Sequence, residues 1–412
     1  MAPSARSSAL RLSVLDQSPV SADSTPSQAL ANSLDLARHV DRLGYTRLWY
    51  SEHHAMELLA CTAPEILIAR AAAETTRIRV GSGGIMLQHY APLKVAEVFR
   101  TLHAMFPGRI DLGIGRAPGG GHLESYALRR TRSSNIATAV PDDFLQQLAE
   151  LRAFLHPERF PTDHPFGTIR VAPDAPGTPD VWLLGSSLWS SVIAAQEGLP
   201  YAFAHFFSPV ATREAITYYQ RNFQPAASPS TPSHPGNPPT PGVPSSPTPG
   251  PERAVSARLG GTASSSAKVG SQDAGAPGLA SETWVPRTAP EATLAIGVIC
   301  ADTDAEAQHL HASVRLMQRR IRMDDRRPVA TPDDALRELE ALASPLDGLP
   351  GLAEISEWPR YLVGTPDRVA TQLHNLAEEL RLNEIIVNTI THSHQARLHS
   401  YSLLAEALQL AN

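Results

Sequence analysis

Cysteine is nearly absent from this chain: Cys61 and Cys300, far apart, are the only two in 412 residues. That leaves no disulfide framework and no thiolate metal site of the usual paired spacing. A basic surplus is missing too, since 35 Lys and Arg face 41 Asp and Glu for a net charge of -6. Nothing electrostatic therefore calls for nucleic acid or an anionic membrane, and a small molecule is the expected partner. No apolar run approaches the ~18 residues of a spanning helix. The N-terminal MAPSARSSALRLSVLD carries basic residues but no apolar leader core, so a soluble, cytoplasmic protein is expected.

What the chain does have is a repeated alternation of apolar strand and amphipathic helix. Leu10–Leu15 reads as a buried strand, and Thr25-Pro26-Ser27 opens a helix with Leu30, Leu34, Ala37, Val40 and Leu43 on one face, stopped by Gly44. Strands follow at Arg47–Ser51, Ile78–Gly84, the run ending in Arg116, Val181–Gly185, Tyr201–Phe207, Ala292–Cys300 and Asn383–Asn388. Helical patterns lie between them, at Pro64–Ala73, from Pro92, at Asp142–Leu155, from Ser186 to Gly198, and at Pro209–Phe223, Asp304–Ile321, Thr365–Arg381 and Gln395–Leu410. Eight strands separated by helices predict an α/β fold, a (β/α)8 TIM barrel. Residues 322–360 carry only a short helix around Asp334–Leu342.

Composition breaks this pattern once. Ten of the 26 residues from Pro225 to Gly250 are proline, and Ser, Thr and Gly fill most of the rest. Such a segment has too few apolar groups to offset the entropy of ordering it, so a long Pro/Ser/Gly-rich disordered insertion is expected between the sixth and seventh barrel units. The division is residues 1–224 for the first part of the barrel, 225–290 for the insertion and 291–412 for the remainder.

The densest chemistry lies in Arg77–Gly121, RIRVGSGGIMLQHYAPLKVAEVFRTLHAMFPGRIDLGIGRAPGGG, a complete βαβ unit. Its first strand ends in Gly83-Gly84, whose bare backbone offers a flat wall to a planar ligand. Its second ends in Arg116, a guanidinium fork suited to an anion where a barrel presents its ligands. Ser186, Ser187 and Ser190 open the helix after strand five, a second place for an anion, with Leu188 offering its amide. Glu52-His53-His54 ends strand two, and an imidazole there can exchange a proton near neutrality. Each element also has a plainer use: glycines under a close helix, a rim salt bridge, an ordinary helix cap, a hydrogen-bonded histidine. Gly119-Gly120-Gly121 lacks the lysine and Ser/Thr of a phosphate loop and reads as a mobile loop near the site.

RLWYSEHH, VGSGGIML and FPGRIDLGIGR, in this order and spacing, resemble the bacterial-luciferase-like flavin-dependent oxidoreductases over roughly residues 10 to 130, and the likeness is traceable in Val181–Ser208 and Val363–Glu406. The resemblance implies a TIM barrel holding reduced FMN, a non-prolyl cis peptide at Gly83-Gly84, and phosphate held by Arg116, Ser187 and Ser190 with the Leu188 amide. His53 is implied as the catalytic histidine. It implies a monooxygenase that uses O2 and a small organic substrate, and a possible homodimer. No GxGxxG fingerprint follows a strand, so reduced flavin is expected from a separate NAD(P)H reductase. Gly115 stands where the luminescent subunit has a reactive cysteine, so light emission does not carry over. Three alternatives stay open: an oxidoreductase of the same fold using the deazaflavin coenzyme F420, a non-catalytic flavin-binding protein, and a metal-dependent barrel hydrolase with His53, His54, His392 and His394 as ligands. The last is opposed by alternation, which points His53 and His54 to opposite sides.

Overall fold

Thr25 starts the first helix: its hydroxyl accepts a bond from Gln28 N–H at 3.1 Å, Pro26 takes a position whose N–H has no helical partner, and Gly44 follows the last turn with φ +83°. This helix, α1 (Pro26–Arg42), joins β1 (Arg11–Asp16) to β2 (Arg47–Tyr50). The step repeats through α2 (Pro64–Glu74), β3 (Arg79–Met86), α3 (Pro92–Met105), β4 (Ile110–Gly115), α4 (His122–Arg129), α5 (Phe144–Leu155) and β5 (Asp180–Gly185). It continues with α6 (Leu188–Gln196), β6 (Tyr201–Ala204), α7 (Thr212–Asn222), β7 (Ala292–Cys300), α8 (Asp304–Arg322) and α9 (Pro332–Ala341). The chain closes with β8 (Tyr361–Gly364), α10 (Pro366–Leu380), β9 (Glu384–Asn388) and α11 (His394–Ala407). The computed structural model describes residues 10–129, 143–225, 287–342 and 356–410. The Pro-rich stretch expected to be an insertion falls on residues 226–286, outside those described.

Every strand pairing is parallel, and β1 through β6, β7 and β9 close on one another into the expected eight-stranded barrel. β6 pairs with β7 from Tyr201↔Ala292 to Ala204↔Ala295, so the chain on either side of the Pro-rich stretch joins in the same barrel wall. The count needs one correction. β8 is a ninth strand, in the four residues between the unassigned stretch 322–360 and the helix read from Thr365, and it pairs with Gly297–Cys300 of β7 beyond the point where β6 stops. Four residues are too few to show a period.

Other boundaries shift for local reasons. β3 runs past Gly83-Gly84 to Met86, with a register shift against β4 between Ser82 and Ile85. β6 ends at Ala204 rather than Phe207, because Phe207 N–H and Ser208 N–H both turn back to the Ala204 carbonyl. The helix α4 directly after the triple glycine was not foreseen.

Alternation sorts the strand side chains into two layers. Leu12, Val14, Leu48, Tyr50, Ile110, Leu112 and Ile114 pack outward into the main core shared with the helices. Leu15, Trp49, Trp182, Ala202, Ala295 and Ile386 fill the inside, with the two tryptophan rings edge to face at 5.3 Å. Ion pairs close the floor beneath them. Arg47, 4% exposed, bonds to Glu384 and Asp111, which are 2% and 0% exposed, and lies 4.7 Å from the Trp182 ring. Trp49 Nε1 also donates to Asp111. Burial alone would raise the pKa of Asp111, but the charges of Arg47 and Arg79 outweigh it and hold it below the ordinary value. In a barrel of this kind ligands are presented at the other end, where the strands' C-termini lie.

Candidate active site

A cavity of about 760 Å3 opens at that end. Six strands reach it: Leu15 and Gln17 at the end of β1, Ser51 and His53 after β2, Gly83, Gly84 and Met86 on β3, Gly115 and Arg116 at the end of β4, Gly185 to Ser187 after β5, and Ala204 to Phe207 after β6. His53, Gly83, Gly84, Arg116, Ser186, Ser187 and Ser190, all singled out in the sequence, share this wall. Leu188 does not line it, and only its backbone amide, at the start of α6, remains relevant.

The peptide between Gly83 and Gly84 is cis. Both glycines are required by close approach. A Cβ on Gly84 would stand 2.8 Å from the carbonyl oxygen of Gly113, and one on Gly83 would stand 2.6 Å from Leu15 Cδ1. Both line the cavity, and having no side chain they present backbone alone to it.

Arg116 reaches the cavity from the end of β4, and its guanidinium carbon lies 4.3 Å from the centroid of the Trp189 ring. Trp189 packs edge to face on Phe144 at 5.8 Å. Neither aromatic was marked in the sequence, because a tryptophan on an apolar helix reads as core. Ser187 is the N-cap of α6, yet its side chain makes no cap bond. Ser190, 4% exposed, is already engaged: its hydroxyl lies 2.7 Å from the Ser187 carbonyl and 2.9 Å from Tyr201 Oη. Arg129 of α4, also missed, lines the cavity and donates to Gln88.

His53 is half-buried, opening on the cavity, with Nδ1 3.2 Å from Ser51 Oγ. Burial, with a minor contribution from His54, pushes its pKa down to about 4, so the ring is neutral at pH 7. His54 takes the other side. Its Nε2 lies 2.6 Å from Oε1 of Glu52, its N–H donates to the Gly119 carbonyl at 2.8 Å, and it is not part of the cavity wall. The opposite facing expected from alternation is present. His392 and His394 pair with Asp23 and Asp35 instead, and neither lines the cavity with His53. The four-histidine ligand set is thereby dispersed. The triple glycine is held rather than loose at its first member, through the His54 N–H and through a bond between His89 Nε2 and the Pro118 carbonyl at 2.7 Å.

Residues 10–235 match the family model of luciferase-like monooxygenases. The chain belongs to that family. The family is one of oxidoreductases, and its Escherichia coli K12 member, also described as a luciferase-like monooxygenase, is 33% identical over 396 residues, covering 96% of each chain. Among solved structures, apo-MsnO8 is 40% identical, covers 98% of this chain and 99% of its own, and superposes with a TM-score of 0.76. The oxygenating constituent of the Pseudomonas putida 3,6-diketocamphane monooxygenase, solved with FMN, is 18% identical with a TM-score of 0.60 over 97% and 98% of the two chains. At that distance the likeness is one of fold. No helix among the described residues is long and apolar enough to cross a membrane.

Proposed function

We propose that the cavity holds reduced FMN and that the protein is an FMN-dependent monooxygenase, taking reduced flavin from a separate NAD(P)H reductase and oxidising a small organic substrate with O2. The observation that carries this reading is convergence: a bare glycine wall, an arginine with a helix N-terminus, and a neutral histidine line one apolar-walled space. The residues fit the cofactor. A volume of about 760 Å3 lies within the roughly 300–1,000 Å3 of small-molecule sites and leaves room for a second molecule beside a flavin. The glycine wall has no Cβ to keep a flat ring away.

Bound reduced flavin would supply electrons to oxygen. Arg116 would bind the phosphate through its guanidinium fork, held in place by Trp189. Ser187 and the first amides of α6 would add donors to the same anion, and Ser190 would join only by turning its hydroxyl away from the Ser187 carbonyl. His53, neutral and oriented by Ser51 at Nδ1, would accept a proton at Nε2 and return it. Met56, Met86, Phe206 and Phe207 would give an organic substrate an apolar lining. The experiment is titration of the apoprotein with FMN, photoreduced FMN and the deazaflavin, followed by absorbance and fluorescence. Preference for reduced FMN is expected. Tight binding of the deazaflavin alone would move the protein to the other cofactor class.

A further inference from the structure

Glu52 has no surface exposure, and its carboxylate receives three bonds from three different segments. His54 Nε2 lies 2.6 Å and Tyr90 Oη 2.8 Å from Oε1, while Met86 N–H donates to Oε2 at 3.0 Å. Each partner leads to a part of the cavity wall. Met86 ends β3, two residues beyond Gly84. Tyr90 follows the single 3-10 turn Leu87–His89 that leads into α3. His54 grips the loop after β4 through its bond to the Gly119 carbonyl, and Glu52 itself immediately precedes His53.

We propose that Glu52 is a positioning residue, which fixes the ends of β2 and β3 and the loop after β4 relative to one another and so sets where His53 stands against the glycine wall. It touches neither the cavity nor a ligand in it. The chemistry requires a carboxylate. Met86 N–H and Tyr90 O–H donate to it, His54 Nε2 joins them when the ring carries its proton there, and a carboxylate is the side chain of this length whose two oxygens can accept from all three. A glutamine in its place would present its NH2 either to the Met86 N–H, which can only donate, or to Tyr90 and His54, where it is satisfied only if the hydroxyl and the ring turn to accept. An aspartate is one methylene too short to reach all three. The effect on flavin rests on the function proposed above; the effect on the wall does not.

The test uses the full chain in two variants, Glu52→Gln and Tyr90→Phe. In the ligand-free protein, amide hydrogen exchange at Met86 and His54 should be at least about ten-fold faster in Glu52→Gln, the scale of one lost bond to a charged acceptor. With FMN as probe, affinity should stay within about ten-fold of wild type. The visible circular dichroism of the bound flavin, which reads its placement in the wall, should change, and oxygen should consume bound reduced FMN more slowly by ~10-fold or more. A residue that served stability alone would lower Tm and leave the dichroism of the bound flavin as it was. Tyr90→Phe keeps the carboxylate and two bonds, so it should shift the same readouts less, with a smaller fall in Tm; it decides the matter if Glu52→Gln does not fold. Wild-type protection at Met86 and His54, or unchanged dichroism and oxidation rate, in the folded variant overturns the proposal. Failure of the wild-type protein to bind FMN would instead sink the cofactor reading, with the exchange experiment still deciding Glu52.

Discussion

The guanidinium of Arg116 lies over the ring of Trp189, its carbon 4.3 Å from the ring centroid, and this pair joins the end of β4 to the first turn of α6 at the corner proposed to take the phosphate. A cation over an aromatic face is held by its charge, whereas donation to an anion uses the N–H groups at the guanidinium's edge, so the two interactions draw on different parts of the group.

Arg116→Ala should therefore weaken FMN much more than riboflavin, by the ~1.5–3 kcal/mol of a charge-assisted contact. Trp189→Ala should weaken FMN in the same sense but less, since it removes only the orientation of the arginine, at ~0.5–2 kcal/mol. Fluorescence titration with both ligands measures the difference. Equal losses for FMN and riboflavin would take Arg116 away from the phosphate.

Gly84→Ala tests the wall. Its Cβ would lie 2.8 Å from the Gly113 carbonyl oxygen and 3.1 Å from Gly115 N, backbone atoms of a central strand that cannot step aside as a side chain can. A destabilisation of about 1–3 kcal/mol is expected, with a larger proportional loss of flavin affinity. Urea unfolding and flavin titration on one preparation separate the two effects.

The floor should behave differently from the rim. Asp111→Asn leaves Arg47 and Arg79 short of a buried counter-charge and should cost about 3–5 kcal/mol, while FMN affinity changes little because the floor lies at the opposite end of the barrel. The folded-state pKa of Asp111 is held below its ordinary 3.8. Its contribution is therefore present above that value and is lost as pH falls through the lower folded value. Wild type should lose this part of its stability in acid, and the variant should have none of it to lose; unfolding at pH 7 and below pH 4 compares them.

Deleting residues 229–280 should leave Tm and flavin affinity close to wild type. The stretch has the composition of a chain without an apolar face, loop closure costs grow slowly with length, and both flanks are anchored on the described barrel. Gln224 N–H donates to the Ala195 carbonyl, and Arg287 pairs with Asp180 and Glu291. A fall of several degrees would mean that the stretch packs on the barrel.

The barrel was legible because parallel strands buried on both faces are written as apolar runs, as in Ala292–Cys300, whose bounds coincide with β7. Tyr361–Gly364 was not, since four residues on the upper half of β7 carry no period. In the site, the residues singled out from sequence that line the cavity are those whose type is unusual where they stand: two glycines in a strand, an arginine at a strand end, a histidine just past one. Trp189, Phe144 and Tyr201 escaped notice because each looks like core, and only the fold brings them to the corner between Arg116 and the start of α6. The state of Ser190 was equally invisible, because its partner Tyr201 lies on the next strand.

The histidine pair gives the sharpest test. Neighbouring positions on one strand end send His53 to the cavity and His54 to Glu52, so one sequence doublet is divided between the cavity wall and the bonds behind it. His53→Ala should bind reduced FMN almost normally, because anchoring lies with Arg116, the α6 N-terminus and the glycine wall, yet turnover should fall by ~10²–10⁴. It should also change the acid stability. His53 has its pKa lowered from 6.5 to about 4, so as pH falls between those values the unfolded chain takes a proton that the folded one refuses, and wild type loses stability across that window. The alanine variant lacks that component and should show a flatter profile from pH 6.5 to 4. His54→Ala should do the reverse, lowering Tm through the loss of a bond to a buried carboxylate while retaining more of the turnover. Unfolding curves across pH and steady-state oxygen consumption with photoreduced FMN measure both. Full turnover in His53→Ala with lost turnover in His54→Ala would place the wrong histidine in the cavity.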